Sequence, residues 1–128
     1  KNVKFREYFR PFAPAVLEEN LYDYFSIDQS SPHMLIACKV KKNKKQSIPA
    51  VVHVDESCRA QSVSKQSNLK FWKLINEFKK ISGIPVLLNT SFNIKGQPIV
   101  NNPMDAIDCF KRYKIDYLIM DTFLIEKK

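Results

Sequence analysis

The sequence predicts an α/β fold on a mixed β-sheet, and three observations carry that prediction. Strand-like segments crowd the first half of the chain, two helical stretches with three- and four-residue apolar spacing occupy the second, and short apolar runs alternate with those helices. Residues 12–17, Phe-Ala-Pro-Ala-Val-Leu, read as a strand, and Pro11 and Pro14 suit it to an edge or irregular position. Residues 18–25 fit a short helix with Leu21, Tyr22 and Phe25 on one side. The apolar runs 34–40 and 48–54 flank a lysine-rich stretch and read as a β-hairpin with a long loop. The alternation of Arg59, Gln61 and Val63 against Ala60 and Ser62 permits one more short strand.

The clearest helix spans 68–82, with Phe71, Leu74, Ile75, Phe78 and Ile81 on one face. Ser67 or Asn68 caps its start, and Gly83 ends it. Residues 84–88, Ile-Pro-Val-Leu-Leu, are the short apolar run of a buried strand. Asn102-Pro103 is a cap followed by proline in the first turn, with Asp105 favourable to the helix dipole. Ala106, Ile107, Phe110 and Tyr113 then form the buried face of the second helix, and residues 117–120 and 122–125 close the fold as strands.

A chain of 128 residues with 45% hydrophobic and 27% charged residues lies in the range of folded globular domains. At this length a single domain over 1–128 is expected, burying roughly two-thirds of its unfolded surface. The chain opens on Lys within what reads as a motif, so it is expected to be an excised piece of a longer protein. With two glycines, Gly83 and Gly96, it lacks both a dinucleotide-binding turn and a P-loop, so side chains must hold any bound phosphate. No run of 18 apolar residues and no signal peptide occur, which points to a cytoplasmic protein without a membrane partner. Cys38, Cys58 and Cys109 are too widely spaced for a structural zinc site and read as free thiols.

The net charge of +8 would suit a nucleic-acid partner, but its distribution argues against one. Lys39, Lys41, Lys42, Lys44 and Lys45 fall in one seven-residue stretch, the pattern of a solvated loop tip. Arg6, Arg10 and Arg59 are instead isolated in apolar sequence, where a guanidinium needs a carboxylate or phosphate partner.

Three constellations can carry chemistry. Asn89, Thr90, Ser91 and Asn93 follow a buried strand, at the end where open α/β sheets place ligands. They serve a ligand or satisfy their own loop equally well. His53 and Asp55, on one face of a strand, sit near Arg59 and Gln61. No metal site is expected there, since His33 is the other histidine, and no nucleophile elbow surrounds Ser91 to make a Ser-His-Asp triad. Lys4, Arg6 and Arg10 interleave with aromatics, an arrangement that grips phosphate or pins an extended segment through an Arg-Glu network.

The motifs at 4–14 (KFREYFRPFAP), 53–63 (HVDESCRAQSV) and 85–100 (PVLLNTSFNIKGQPIV), continued by Pro103, Asp105, Ala106, Cys109 and Phe110, resemble one family in order and spacing. It is the O-carbamoyltransferases of the nodulation and antibiotic-biosynthesis type, and the likeness is to their carboxyl-terminal domain. The resemblance implies a YrdC-like open α/β sandwich, a twisted mixed sheet with two main helices. It implies formation of carbamoyl adenylate and pyrophosphate from carbamoyl phosphate and ATP, with Mg²⁺ accompanying the nucleotide. An amino-terminal actin-like domain of the same polypeptide, which carries its own metal, would then pass the carbamoyl group to a hydroxyl.

On this resemblance Arg59 and Ser91 are catalytic, and Lys4, Arg6, Arg10, Asn89 and Asn93 bind substrate or nucleotide. Fixed cations and oriented donors suit charge moving onto pyrophosphate. A Gly-Pro-Arg-Ala-Leu-Gly-type segment of the family precedes the first motif and is absent from this sequence, so the isolated piece is expected to be an incomplete enzyme. The alternative is a basic RNA- or nucleotide-binding module without catalysis.

Overall fold

Strand β1 (Ala13–Leu17) is buried along Pro14–Leu17, so it must satisfy its backbone within a sheet rather than in water. It does so centrally, parallel to β5 (Gln61–Val63) on one side and antiparallel to β6 (Val86–Asn89) on the other. The prolines had suggested an edge, and the register explains why the centre tolerates Pro14. The Leu17 N–H donates to the Pro85 carbonyl at 3.2 Å, on the β6 side. By alternation the Pro14 nitrogen faces the β5 side, where pairing begins only at Ala15.

A computed structural model describes residues 12–93 and 96–127, which fall into two compact units, residues 12–90 and residues 91–127. The architecture is mixed α/β with open sheets, as the sequence predicts. Among the described residues no helix is long and apolar enough to cross a membrane.

In the first unit β1 divides its side chains between two faces. Ala15 and Leu17 join Val63 and Ile75 against helix α2 (Leu69–Ser82), whereas Val16 packs with Leu21, Phe25, Val40 and Val86 on the opposite face. A 3-10 turn (Glu18–Asn20) and helix α1 (Leu21–Tyr24) lead to β2 (Phe25–Ser26). β2 pairs with β3 (Cys38–Val40), which pairs with β4 (Ser57–Cys58), all antiparallel. The expected partner of β3 was 48–54, but that stretch forms a 3-10 turn at Pro49–Val51 because Pro49 has no N–H for a ladder. Ile48 and Val51 still bury their side chains in the core. The real reversal is at 53–57, where Glu56 adopts a left-handed φ of 69° without glycine to announce it.

Helix α2 has the expected length, and its buried face keeps Phe71 and Ile75 of the expected stripe but takes Trp72 in place of Leu74 and Ile81. Leu74 and Ile81 are 57% and 87% exposed, while Phe71, Trp72 and Ile75 face the sheet. Polar anchors select that rotation: the Trp72 indole N–H donates to Glu19 at 3.1 Å, and Lys79 donates to Asn20 Oδ1 at 3.0 Å. At its start the Asn68 side chain accepts from the Phe71 N–H at 3.1 Å, and Gly83 ends it at φ 75°. Asn68→Ala is expected to cost about 1 kcal/mol. Urea denaturation checks this, and an unchanged midpoint would show the cap to be idle.

In the second unit helix α3 (Pro103–Arg112) starts as the sequence predicts, with Asn102 accepting from the Asp105 N–H at 2.9 Å. Ala106 and Phe110 pack on Leu118 of the hairpin formed by β7 (Tyr117–Met120) and β8 (Phe123–Glu126).

Candidate functional site

The sheet register gathers two of the sequence motifs at one end of β1 within the first unit. Ala13 lies opposite Asn89, and Ala15 lies opposite Gln61. Their side chains meet, with Asn89 Nδ2 donating to Gln61 Oε1 at 2.8 Å. Gln61 Nε2 donates to the Pro32 carbonyl at 3.2 Å, so both ends of that amide are fixed and Asn89 Oδ1 remains available as an acceptor. Arg59 precedes Gln61 by two residues and is exposed, and among the described residues no carboxylate pairs with it. Beyond Asn89, the Thr90 Oγ1 is buried and without a hydrogen-bond partner among the described residues. Among the described residues this end of the sheet therefore offers a cation with no carboxylate partner, an amide acceptor and a hydroxyl with no partner. These groups fit an anionic ligand with a planar amide. Lys4, Arg6 and Arg10 lie outside the described residues.

Ser91 and Asn93 belong to the second unit. Ser91 Oγ donates to Asn93 Oδ1 at 2.7 Å, and Asn93 Nδ2 donates to the Gln97 carbonyl at 3.0 Å. These bonds brace the loop, whose ends close where the Val100 N–H meets the Phe92 carbonyl at 2.9 Å. Asn93 also lines a cavity of about 280 Å³ with Gln97, Asp105, Asp108, Cys109 and Arg112. Sequence reasoning missed this cavity. Its signal was the spacing of Asp105, Asp108, Cys109 and Arg112 at three- and four-residue intervals on one face of α3.

His53 and Asp55 sit in the turn before β4 rather than on a strand. Asp55 Oδ1 accepts from the Ser57 O–H at 2.6 Å and the Ser57 N–H at 2.9 Å, which holds the carboxyl at about 2, below its ordinary 3.8. His53 Nδ1 lies 3.2 Å from the same oxygen but lacks hydrogen-bond alignment. Asp55 thus braces the turn leading to Arg59. Its folded pKa is depressed, so the stability it contributes is full above the unfolded value of 3.8 and is lost as pH falls through about 2. Asp55→Ala is expected to flatten the stability profile in that acid window, as measured by urea denaturation across pH, and an unchanged slope would contradict this role. Among the described residues no group of three His, Cys, Asp or Glu side chains could hold a metal ion.

The lysine-rich stretch is held against the same turn. Lys45 pairs with Glu56 at 2.5 Å, Lys39 donates to the Asp55 carbonyl, and Lys44 lies 4.8 Å from the centre of the Tyr24 ring. Three of its five lysines therefore have partners inside the unit.

Comparison with known proteins adds an independent line. The family described as the carbamoyltransferase C-terminus matches residues 1–127. Nodulation protein NolNO of Sinorhizobium fredii is 42% identical over 98% of this chain and 19% of its own length. Nodulation protein NolO of Bradyrhizobium diazoefficiens is 40% identical over 98% of the chain and 24% of its own. Nodulation protein U of Rhizobium tropici is 45% identical over 74% of the chain and 16% of its own. The chain spans less than a quarter of the length of each of these relatives.

Proposed function

This chain belongs to the carbamoyltransferase carboxyl-terminal family, and from that premise we propose that it activates a carbamoyl group with ATP for transfer to a hydroxyl. In this reading carbamoyl phosphate yields its phosphate to water as inorganic phosphate. An oxygen of the resulting carbamate attacks the α-phosphorus of ATP, the bond to the β-phosphate breaks, and pyrophosphate leaves. The product is carbamoyl adenylate, whose AMP departs when the carbamoyl group reaches its acceptor. Transfer belongs to the remainder of a longer polypeptide, an amino-terminal actin-like domain with its own metal, and the relatives' greater length supports that division.

The observation that carries the reading is the bond between Gln61 and Asn89 at one end of β1, with Arg59 two residues before Gln61 in the chain. The difficulty of adenylation is the negative charge that develops on pyrophosphate, and a preorganised cation opposes it without reorganising at the moment of reaction. Arg59 supplies that cation, and the family resemblance assigns Arg6, Arg10 and Lys4 as further phosphate ligands. Asn89 Oδ1 accepts from the carbamoyl amide, and Gln61 holds Asn89 in the orientation to do so. The family resemblance assigns Ser91 to catalysis and Asn93 to substrate binding. Mg²⁺ would enter with the nucleotide and would help neutralise the charge on its phosphates.

Product analysis on the protein in its full natural length tests the reading. Pyrophosphate is expected only when carbamoyl phosphate and Mg-ATP are both present. ADP as the nucleotide product, or pyrophosphate release indifferent to carbamoyl phosphate, would refute adenylation.

A further inference from the structure

We propose that Cys38 and Cys58 form a reversible disulfide, a dithiol modification site that stitches β3 to β4 immediately ahead of Arg59. The two residues stand directly opposite each other in the antiparallel register, with Sγ atoms 3.6 Å apart. Two residues along the same ladder the Val40 N–H donates to the Glu56 carbonyl at 3.0 Å, so Cys38 and Cys58 occupy a hydrogen-bonded position. Opposed Cα atoms there lie about 5.5 Å apart, inside the roughly 4.4–6.8 Å that a disulfide spans. Bond formation therefore needs side-chain rotation and no exchange of strand partners.

The surroundings distinguish the two sulfurs. The two thiols share a hydrogen bond in which either can donate, and the Ala60 N–H also donates to Cys38; these bonds lower the Cys38 pKa to about 7, while the pairing and burial push Cys58 upward. Because the Ala60 N–H falls on Cys38, Cys38 is the attacking thiolate and Cys58 the resolving thiol. At 6% and 5% exposure both are closed to bulky reagents, so the oxidant is a small peroxide. The Cys38 sulfur attacks one oxygen of hydrogen peroxide, the O–O bond breaks, and the departing hydroxide takes up a proton as water. The resulting sulfenic acid loses its hydroxyl as a second water when Cys58, giving up its proton, attacks the Cys38 sulfur. Two thiols and one peroxide thus become one disulfide and two waters, the sulfurs yielding the two electrons that reduce the peroxide.

Peptide mapping of the full-length protein after hydrogen peroxide near neutral pH, digested without reduction, tests this independently of any transferase activity. The expected product is a linked pair containing Cys38 and Cys58, lighter than the two thiol peptides by two hydrogens and separated again by dithiothreitol. In Cys58→Ser, Cys38 is expected to stop at the sulfenic acid, read as the gain of one oxygen in the intact mass that dithiothreitol reverses. The wild-type map stands even if that variant does not fold. Recovery of both cysteines as free thiols, or linkage of either to a different cysteine, would overturn the proposal.

Discussion

Arg59→Ala is expected to slow carbamoyl-dependent pyrophosphate release about 100-fold or more, the usual cost of removing one preorganised charge-stabilising group. It should leave the stability measured by urea unfolding within about 0.5 kcal/mol of wild type, because the side chain is exposed and makes no ion pair among the described residues. Arg59→Lys separates charge from geometry. A lysine restores a point charge but not the rigid fork of donors, so it should recover only part of the rate. The rate and the stability must be read together. A loss of stability equal to the loss of rate would make Arg59 a structural residue, and an unchanged rate would remove it from the reaction.

The largest expected effect on folding is that of Phe25→Ala, at about 3–5 kcal/mol. Phe25 is 1% exposed and sits among Val16, Leu21, Val40 and Cys58, and its backbone opens β2, which pairs with Val40 of β3. Removing the ring empties the centre of the face on which β2, β3 and β4 lie against β1. A cost of that size is a large share of the roughly 5–15 kcal/mol that holds a domain together. Because β4 leads directly into Arg59, the same variant should also loosen the candidate site. Equilibrium urea unfolding checks the prediction, and a change below about 1 kcal/mol would show that the cavity collapses without loss.

Local signals in the sequence were sufficient where the chain decides its own conformation. Asn68 and Gly83 bound α2, and Asn102-Pro103 opens α3, because a cap or a stop is chemistry among near neighbours. The rotation of α2 was hidden, since Phe71, Leu74, Ile75, Phe78 and Ile81 form an equally good apolar stripe. Two distant contacts, Trp72 with Glu19 and Lys79 with Asn20, select the face that is buried. The partner of β3 was hidden too: the apolar run 48–54 outweighed the short, polar Ser57–Cys58, whose pairing depends on a left-handed Glu56 that nothing nearby demands. Pro14 appeared to exclude a central strand because register, which places its nitrogen beyond the β5 pairing, is a property of three strands together.

The candidate site was legible as separate motifs but not as a place. Arg59 stood out as an isolated cation and Asn89 as a polar residue after a buried strand. The bond between Gln61 and Asn89 spans 28 positions and crosses β1, so it follows from topology alone. Asp108 and Arg112 escaped notice because charged residues on a helix surface ordinarily signal nothing beyond solvation.

The most direct test of the central claim is exchange of labelled pyrophosphate into ATP by the full-length protein, with and without carbamoyl phosphate. Reversible formation of a carbamoyl adenylate predicts exchange that requires carbamoyl phosphate and falls about 100-fold in Arg59→Ala. Carbamoyl transfer that proceeds without any such exchange would contradict the account.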